Sequence, residues 1–203
     1  ATGSGTVFNT NSPTVTTTLP ANVALTPTTA YKYYVRAICA NSTSEWVGPY
    51  NFSTSSPGLS CNAPITVTAL PYSTTDNTSN YADNTDTQPA GCVTGTGYMG
   101  GNEVFYSYTA PANGTISISM TPTANNSSLF VYQGCANVGV TCIQGVANNN
   151  STVRTIPNLP VVAGQTYIIV ISSTAAVQTV GYTLIIQNVN CAEPTNLNAP
   201  VIS

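Results

Sequence analysis

Four of the six acidic residues fall between positions 76 and 103, and they are the part of this chain best placed to do chemistry. The segment DNTSNYADNTD supplies Asp76, Asp83 and Asp86 among amides and hydroxyls, and Glu103 follows. Calcium takes six to eight oxygens from carboxylates, amide carbonyls and backbone, so this run is the candidate calcium-binding set. It lacks EF-hand spacing. Asp and Asn in such a run also bond their own backbone in turns. The chain has no histidine, which excludes Ser-His-Asp and Cys-His catalysis. The cations are Lys32, Arg36 and Arg154. Lys32 and Arg36 fall on the outer side of one predicted strand, and the chain reads as non-catalytic.

Six cysteines occur with no CxxC pair. With no histidine beside them, a zinc site is excluded and disulfides are expected, in an oxidising, extracellular setting. Cys135 and Cys142 flank a short glycine-containing loop, GCANVGVTC, and are expected to close a small ring. Cys61 opens a new unit and Cys92 lies in its long loop, which makes them the expected second pair.

Twelve tyrosines and one tryptophan raise the question of sugar stacking. Most tyrosines fall on alternating strand positions and read as core. Trp46, in a loop before Gly48-Pro49, is the candidate ligand-binding aromatic, with packing over a sandwich edge as the alternative.

The elements that must position these groups are strands. Only 4% of residues are charged, against about 25% in ordinary domains. Three scattered cations and a net charge of −3 exclude a nucleic-acid footprint. No apolar run reaches the roughly 20 residues of a membrane helix, and no signal peptide is visible. Alternating apolar positions predict strands over 14–19, 31–39 and 50–54, then over 65–70, 103–109, 115–120, 128–133, 152–156, 166–172 and 182–187. Ile168 and Val170 are apolar as well as Tyr167, Ile169 and Ile171, so that strand is expected to be covered on both faces. Residues 71–101 read as one long loop. In LTPTTAYKYYVRAIC, over 25–39, the Pro-Thr turn fits a sandwich corner in which a tyrosine hydroxyl bonds back to upstream backbone.

Three likenesses to known modules complete the reading. YKYYVRAIC with SEWVGPYNFST resembles the last strands of fibronectin type III modules in secreted Bacteroidota surface proteins. GNEVFYSYTAP, SLFVYQGC and VVAGQTYIIVI are similar to motifs of pre-peptidase C-terminal-like jelly-roll domains. CAEPTNLNAPVIS looks like the first strand of another fibronectin type III module. The resemblance implies an all-β chain: a partial fibronectin type III sandwich over 1–56, a linker over 57–60, a complete jelly-roll sandwich over 61–190, and a further first strand over 191–203.

The same resemblance implies a large adhesin exported by type IX secretion. The segment would be structural and adhesive, extracellular, on the cell surface or in a surface filament, with neighbouring repeats or copies of itself as partners. The alternative is a carbohydrate-binding or accessory module of a secreted hydrolase or protease, with surface glycans as partner. It places Cys39 and Cys191 at neighbouring positions of an intact module, so that each bonds outside the segment, Cys191 of one copy to Cys39 of the next. A direct Cys39–Cys191 bond is the alternative. Thr87, directly after Asp86, is the candidate O-glycosylation position.

Overall fold

The computed structural model describes residues 25–26, 28–39 and 41–189. The chain divides into two compact units, 1–56 and 57–203. The predicted strand over 14–19 and the segment over 191–203, Cys191 included, lie outside the described residues.

In the first unit, β1 (Ala30–Val35) pairs antiparallel with β4 (Val47–Ser53), and the short strands β2 (Ile38–Cys39) and β3 (Ser42–Thr43) make a second pair. The register sets Tyr31 opposite Phe52 and Tyr33 opposite Tyr50. Their rings stack with centroids 5.5 and 5.2 Å apart, the geometry by which cross-strand aromatic pairs stabilise a ribbon. The Thr26 N–H donates to the Tyr31 hydroxyl at 2.7 Å, which is the back-bond expected at the corner. Alternation predicts a half-buried face here. Tyr33, Tyr50 and Phe52 are instead exposed, because among the described residues no second layer covers the apolar side of this two-stranded ribbon.

The second unit is a β-sandwich. A five-stranded sheet runs in the order β10 (Gln144–Asn148), β9 (Ser127–Gln133), β12 (Thr166–Ser173), β7 (Val104–Thr109), β5 (Ile65–Val67). A four-stranded sheet runs β11 (Arg154–Val161), β8 (Gly114–Pro122), β13 (Gly181–Asn188), β6 (Tyr72–Asn77). All pairings are antiparallel except β5 with β7. Ile116, Ile118 and Met120 of β8 meet Tyr167, Ile169 and Ile171 of β12 in the core between the sheets. Both faces of β12 are buried, as its continuous apolar run requires.

The outer face of the five-stranded sheet carries a second apolar layer. Ile168 and Val170 point there with Phe105, Phe130 and Tyr132, and Met99 covers them from the long segment between β6 and β7. Two strands escape the sequence pattern. β6 lies inside the region read as one long loop, since YSTTDN shows almost no apolar alternation. β10, QGVAN, has a single large apolar residue.

Candidate functional site

The segment 78–103 is the least regular part of the second unit, and most candidate residues lie on it or beside it. One disulfide, Cys92–Cys142, ties it down, and a second, Cys61–Cys135, joins the start of the unit to the turn after β9. These replace the expected pairs Cys61–Cys92 and Cys135–Cys142. Cys135 opens a short 3-10 turn (Cys135–Asn137) that separates it from Cys142, so each cysteine meets the neighbour across it rather than the one along the chain. Cys135 reaches the start of the unit and Cys142 reaches the overlying loop. Their Cα separations, 5.5 and 6.3 Å, suit a bridge. Cys39 lies in β2.

Gly139 completes this packing. Its φ is +74°, and a Cβ there would stand 3.0 Å from the Thr87 carbonyl oxygen, so only glycine lets the 135–142 segment lie against the loop. Thr87 itself is exposed.

The four candidate carboxylates do not converge. Asp76 accepts from the Asn77 N–H at 2.7 Å, from Asn80 Nδ2 at 2.7 Å and from the Tyr81 hydroxyl at 2.6 Å. Its oxygens are thus engaged in shaping the turn after β6. Asp83 accepts from Gln178 Nε2 at 2.9 Å. Among the described residues, no three acidic, cysteine or histidine side chains are grouped to hold a metal ion.

Glu103 stands apart. Its side chain has no solvent exposure. Oε2 accepts from the Asn84 N–H at 3.0 Å, while Oε1 is buried without a partner. Burial pushes its carboxyl up to about 7, and the charges of Asp83 and Asp86 push the same way, against the backbone N–H groups of Asn84 and Thr85. Asn84 and Thr85, held by this buried acid, line a cleft of about 350 Å³ beside the Cys61–Cys135 bridge. Ser60 and Asn62 supply its other polar edge, and Phe105 and Val138 supply apolar wall.

Arg154 is the feature that sequence reasoning missed. It is fully buried. Nε donates to the Ser127 carbonyl at 3.0 Å, Nη1 to Thr152 O, and Nη2 to the carbonyls of Asn148 and Asn150. Its guanidinium therefore gathers the β8–β9 and β10–β11 loops onto one point, using the fixed fork of donors that only arginine has. A lone arginine at the start of an alternating β11, with an apolar residue at every inward position after it, was the available signal.

In the first unit, Trp46 is 48% exposed, and the Arg36 guanidinium sits 4.6 Å from its ring centroid. This is a cation–π pair. Arg36 is therefore engaged with the one tryptophan of the chain, rather than standing free on the outer face of its strand.

Comparison with known proteins adds the family. Residues 59–185 match a family model described as galactose binding domain-like, associated with type IX secretion. No curated protein matches the chain. Among solved structures, it is similar to Aeromonas hydrophila PliG, a periplasmic lysozyme inhibitor of g-type lysozyme, at 15% identity. That match covers 61% of this chain and 93% of PliG, with a TM-score of 0.32. It is also similar to the carbohydrate-binding module CBM36 solved with calcium and xylotriose, at 18% identity, covering 42% of this chain and 71% of that one, with a TM-score of 0.28. A galactose-binding-like domain thus stands where the motifs resemble pre-peptidase C-terminal-like modules, and the type IX association is common to both. With more than half of its length matched, the chain belongs to the galactose-binding-domain-like family associated with type IX secretion.

Proposed function

We propose that the chain is a non-catalytic, structural and adhesive segment of a secreted bacterial surface protein. In this reading, residues 1–56 are the back part of a fibronectin type III-like module. A linker over 57–60 leads to the sandwich over 61–190, and 191–203 opens the next module. Cys191 of one copy bonds Cys39 of the next.

The observation that supports it is how the second unit uses its reactive groups. Arg154 binds backbone carbonyls, Asp76 shapes a turn, Glu103 is sealed under the loop it pins, and four cysteines form two bridges. Each serves rigidity of the unit. The test is imaging of native surface material with an antibody to the second unit. Regularly spaced label along a continuous fibre is expected, and dispersed single particles overturn the reading.

A second reading, glycan binding, has its own observation: Trp46 and Tyr34 are about half exposed, and Arg36 lies over the tryptophan ring. An exposed aromatic flanked by a cation stacks on sugar rings. Glycan-array binding that disappears in Trp46→Ala supports it, and binding unchanged in that variant removes it.

A further inference from the structure

The geometry points to the free edge of β6 as the place where a second copy of this chain adds its own β6, antiparallel, to make one continuous sheet across two molecules. This locates the self-contact within the structural reading above, and rests on it.

The sandwich has four sheet edges among the described residues: β10 and β5 in one sheet, β11 and β6 in the other. Unpaired edges invite strand addition, and proteins blunt them with prolines, bulges, short strands or covering loops. Three of the four are blunted. β11 carries Pro157 and Pro160, and its register shifts between Ile156 and Leu159. β5 is three residues long. β10 has only five residues, Gly145 among them, and the carbonyl of its last residue, Asn148, is already taken by Arg154. β6 has six residues, no proline, no bulge, and a run of Ser and Thr suited to extended backbone.

The direction of its backbone groups follows from one bond. The Thr78 N–H donates to the Val180 carbonyl at 2.9 Å, in the same register that sets Asn77 opposite Gly181. Antiparallel partners alternate between bonded and non-bonded pairs. Tyr72, Thr74 and Asp76 therefore bond β13, and Ser73, Thr75 and Asn77 turn their N–H and C=O groups outward. The outward Asn77 N–H is already taken by Asp76 Oδ1 at 2.7 Å. That leaves the backbone groups of Ser73 and Thr75 as the open set.

A twofold axis through Thr74 satisfies this set. It places Ser73 opposite Thr75 of the second copy, and the reverse, which gives four backbone hydrogen bonds. The same register keeps outward side chains on one face, as a continuous sheet demands. Asp76 then lies opposite Tyr72 of the second copy, so the one charge on the strand never faces itself. The outward side chains of the neighbouring strands, Ser117, Ser119 and Thr121 of β8 with Thr183, Ile185 and Gln187 of β13, carry no charge to oppose the approach. The interface is isologous and closes as a pair.

The experiment is sedimentation of the full chain with its bridges intact and any free thiols blocked, over a range of concentrations, with hydrogen exchange at each. The expected result is a shift with concentration from 21.0 kDa toward about twice that mass. Exchange at Ser73 and Thr75 slows at least about tenfold in the associated form. Thr75→Pro removes one outward donor and no backbone bond to β13, at the cost of the side-chain bond between Thr75 Oγ1 and Thr183 Oγ1, and is expected to stay monomeric. Ser73→Lys, which sets two like charges beside the axis, serves where the proline disturbs folding, and is expected to behave alike. A wild-type chain that stays at 21.0 kDa throughout, or an association unchanged in both variants, overturns the edge contact. Either outcome leaves the structural reading to its own test by imaging.

Discussion

The hydroxyls of Tyr106 and Tyr182 lie 2.6 Å apart in the middle of the apolar core, one from each sheet. Their rings meet edge to face with centroids 6.5 Å apart. Each satisfies the other's polar atom, and burial holds both phenols well above their ordinary range. Removing one hydroxyl leaves the other buried and alone, whereas removing both leaves two apolar rings. Tyr106→Phe or Tyr182→Phe is expected to destabilise the unit by about 1–3 kcal/mol, and the double variant by less than the sum. Urea denaturation of the three variants measures this, and strict additivity would show the two hydroxyls to be independent.

Glu103 gives stability a pH dependence with a stated sign. Its folded carboxyl titrates at about 7, above the ordinary 4.5, because burial disfavours the charged form. Between those values the folded state holds a proton that the unfolded state has released. Stability therefore falls as pH rises through that window and levels off above about 7. The change is expected to be on the order of 2 kcal/mol. Glu103→Gln should flatten the window and melt higher than the wild type at pH above the folded value. A wild-type melting temperature that rises across the window contradicts the assignment.

Arg154→Met removes donors from the carbonyls of Ser127, Thr152, Asn148 and Asn150 at once. A loss of about 3 kcal/mol is expected, because the buried Ser127 carbonyl is left without a partner and the partly buried carbonyls of Asn148, Asn150 and Thr152 lose theirs. Arg154→Lys should rescue little, since an ammonium cannot reproduce the planar fork. Thermal melts of the two variants side by side decide whether the fork or the charge matters.

The bridges are directly testable by mass. Non-reducing digestion should yield peptides joining Cys61 to Cys135 and Cys92 to Cys142. The bridges close separations of 74 and 50 residues. Chain entropy alone then assigns each about 4 kcal/mol, and replacing either pair by serine is expected to lower the melting temperature markedly. Recovery of a Cys135–Cys142 peptide would overturn the described pairing.

What the sequence discloses and what it hides divide along physical lines. The alternation of β7, β8, β12 and β13 is legible because one face of each is apolar and the period is two. β6 stays hidden because its side chains are nearly all small and polar, and its strand state is imposed by pairing with β13. The disulfide pattern is hidden for a related reason. Short separation along the chain favours Cys135–Cys142 as a ring, but Met99, Phe130 and Val170 draw the 78–103 segment across the outer face of the sheet, and only that fold-back brings Cys92 to Cys142. Four carboxylates close in sequence look like one site until Asp76 is seen to belong to a turn and Glu103 to a buried clamp.

The Cys61–Cys135 bond also determines how the module carries tension. Cys61 lies four residues after the unit begins at Pro57. A pull applied through the chain ends passes from Cys61 straight to Cys135 and skips the strands between them. At about 3.5 Å per extended residue, the 74-residue separation keeps roughly 250 Å of contour length out of reach of the load. The load cannot extend the segment that holds β5 to β9, although these strands lose their central partners β12 and β13 once the strands that follow are drawn out.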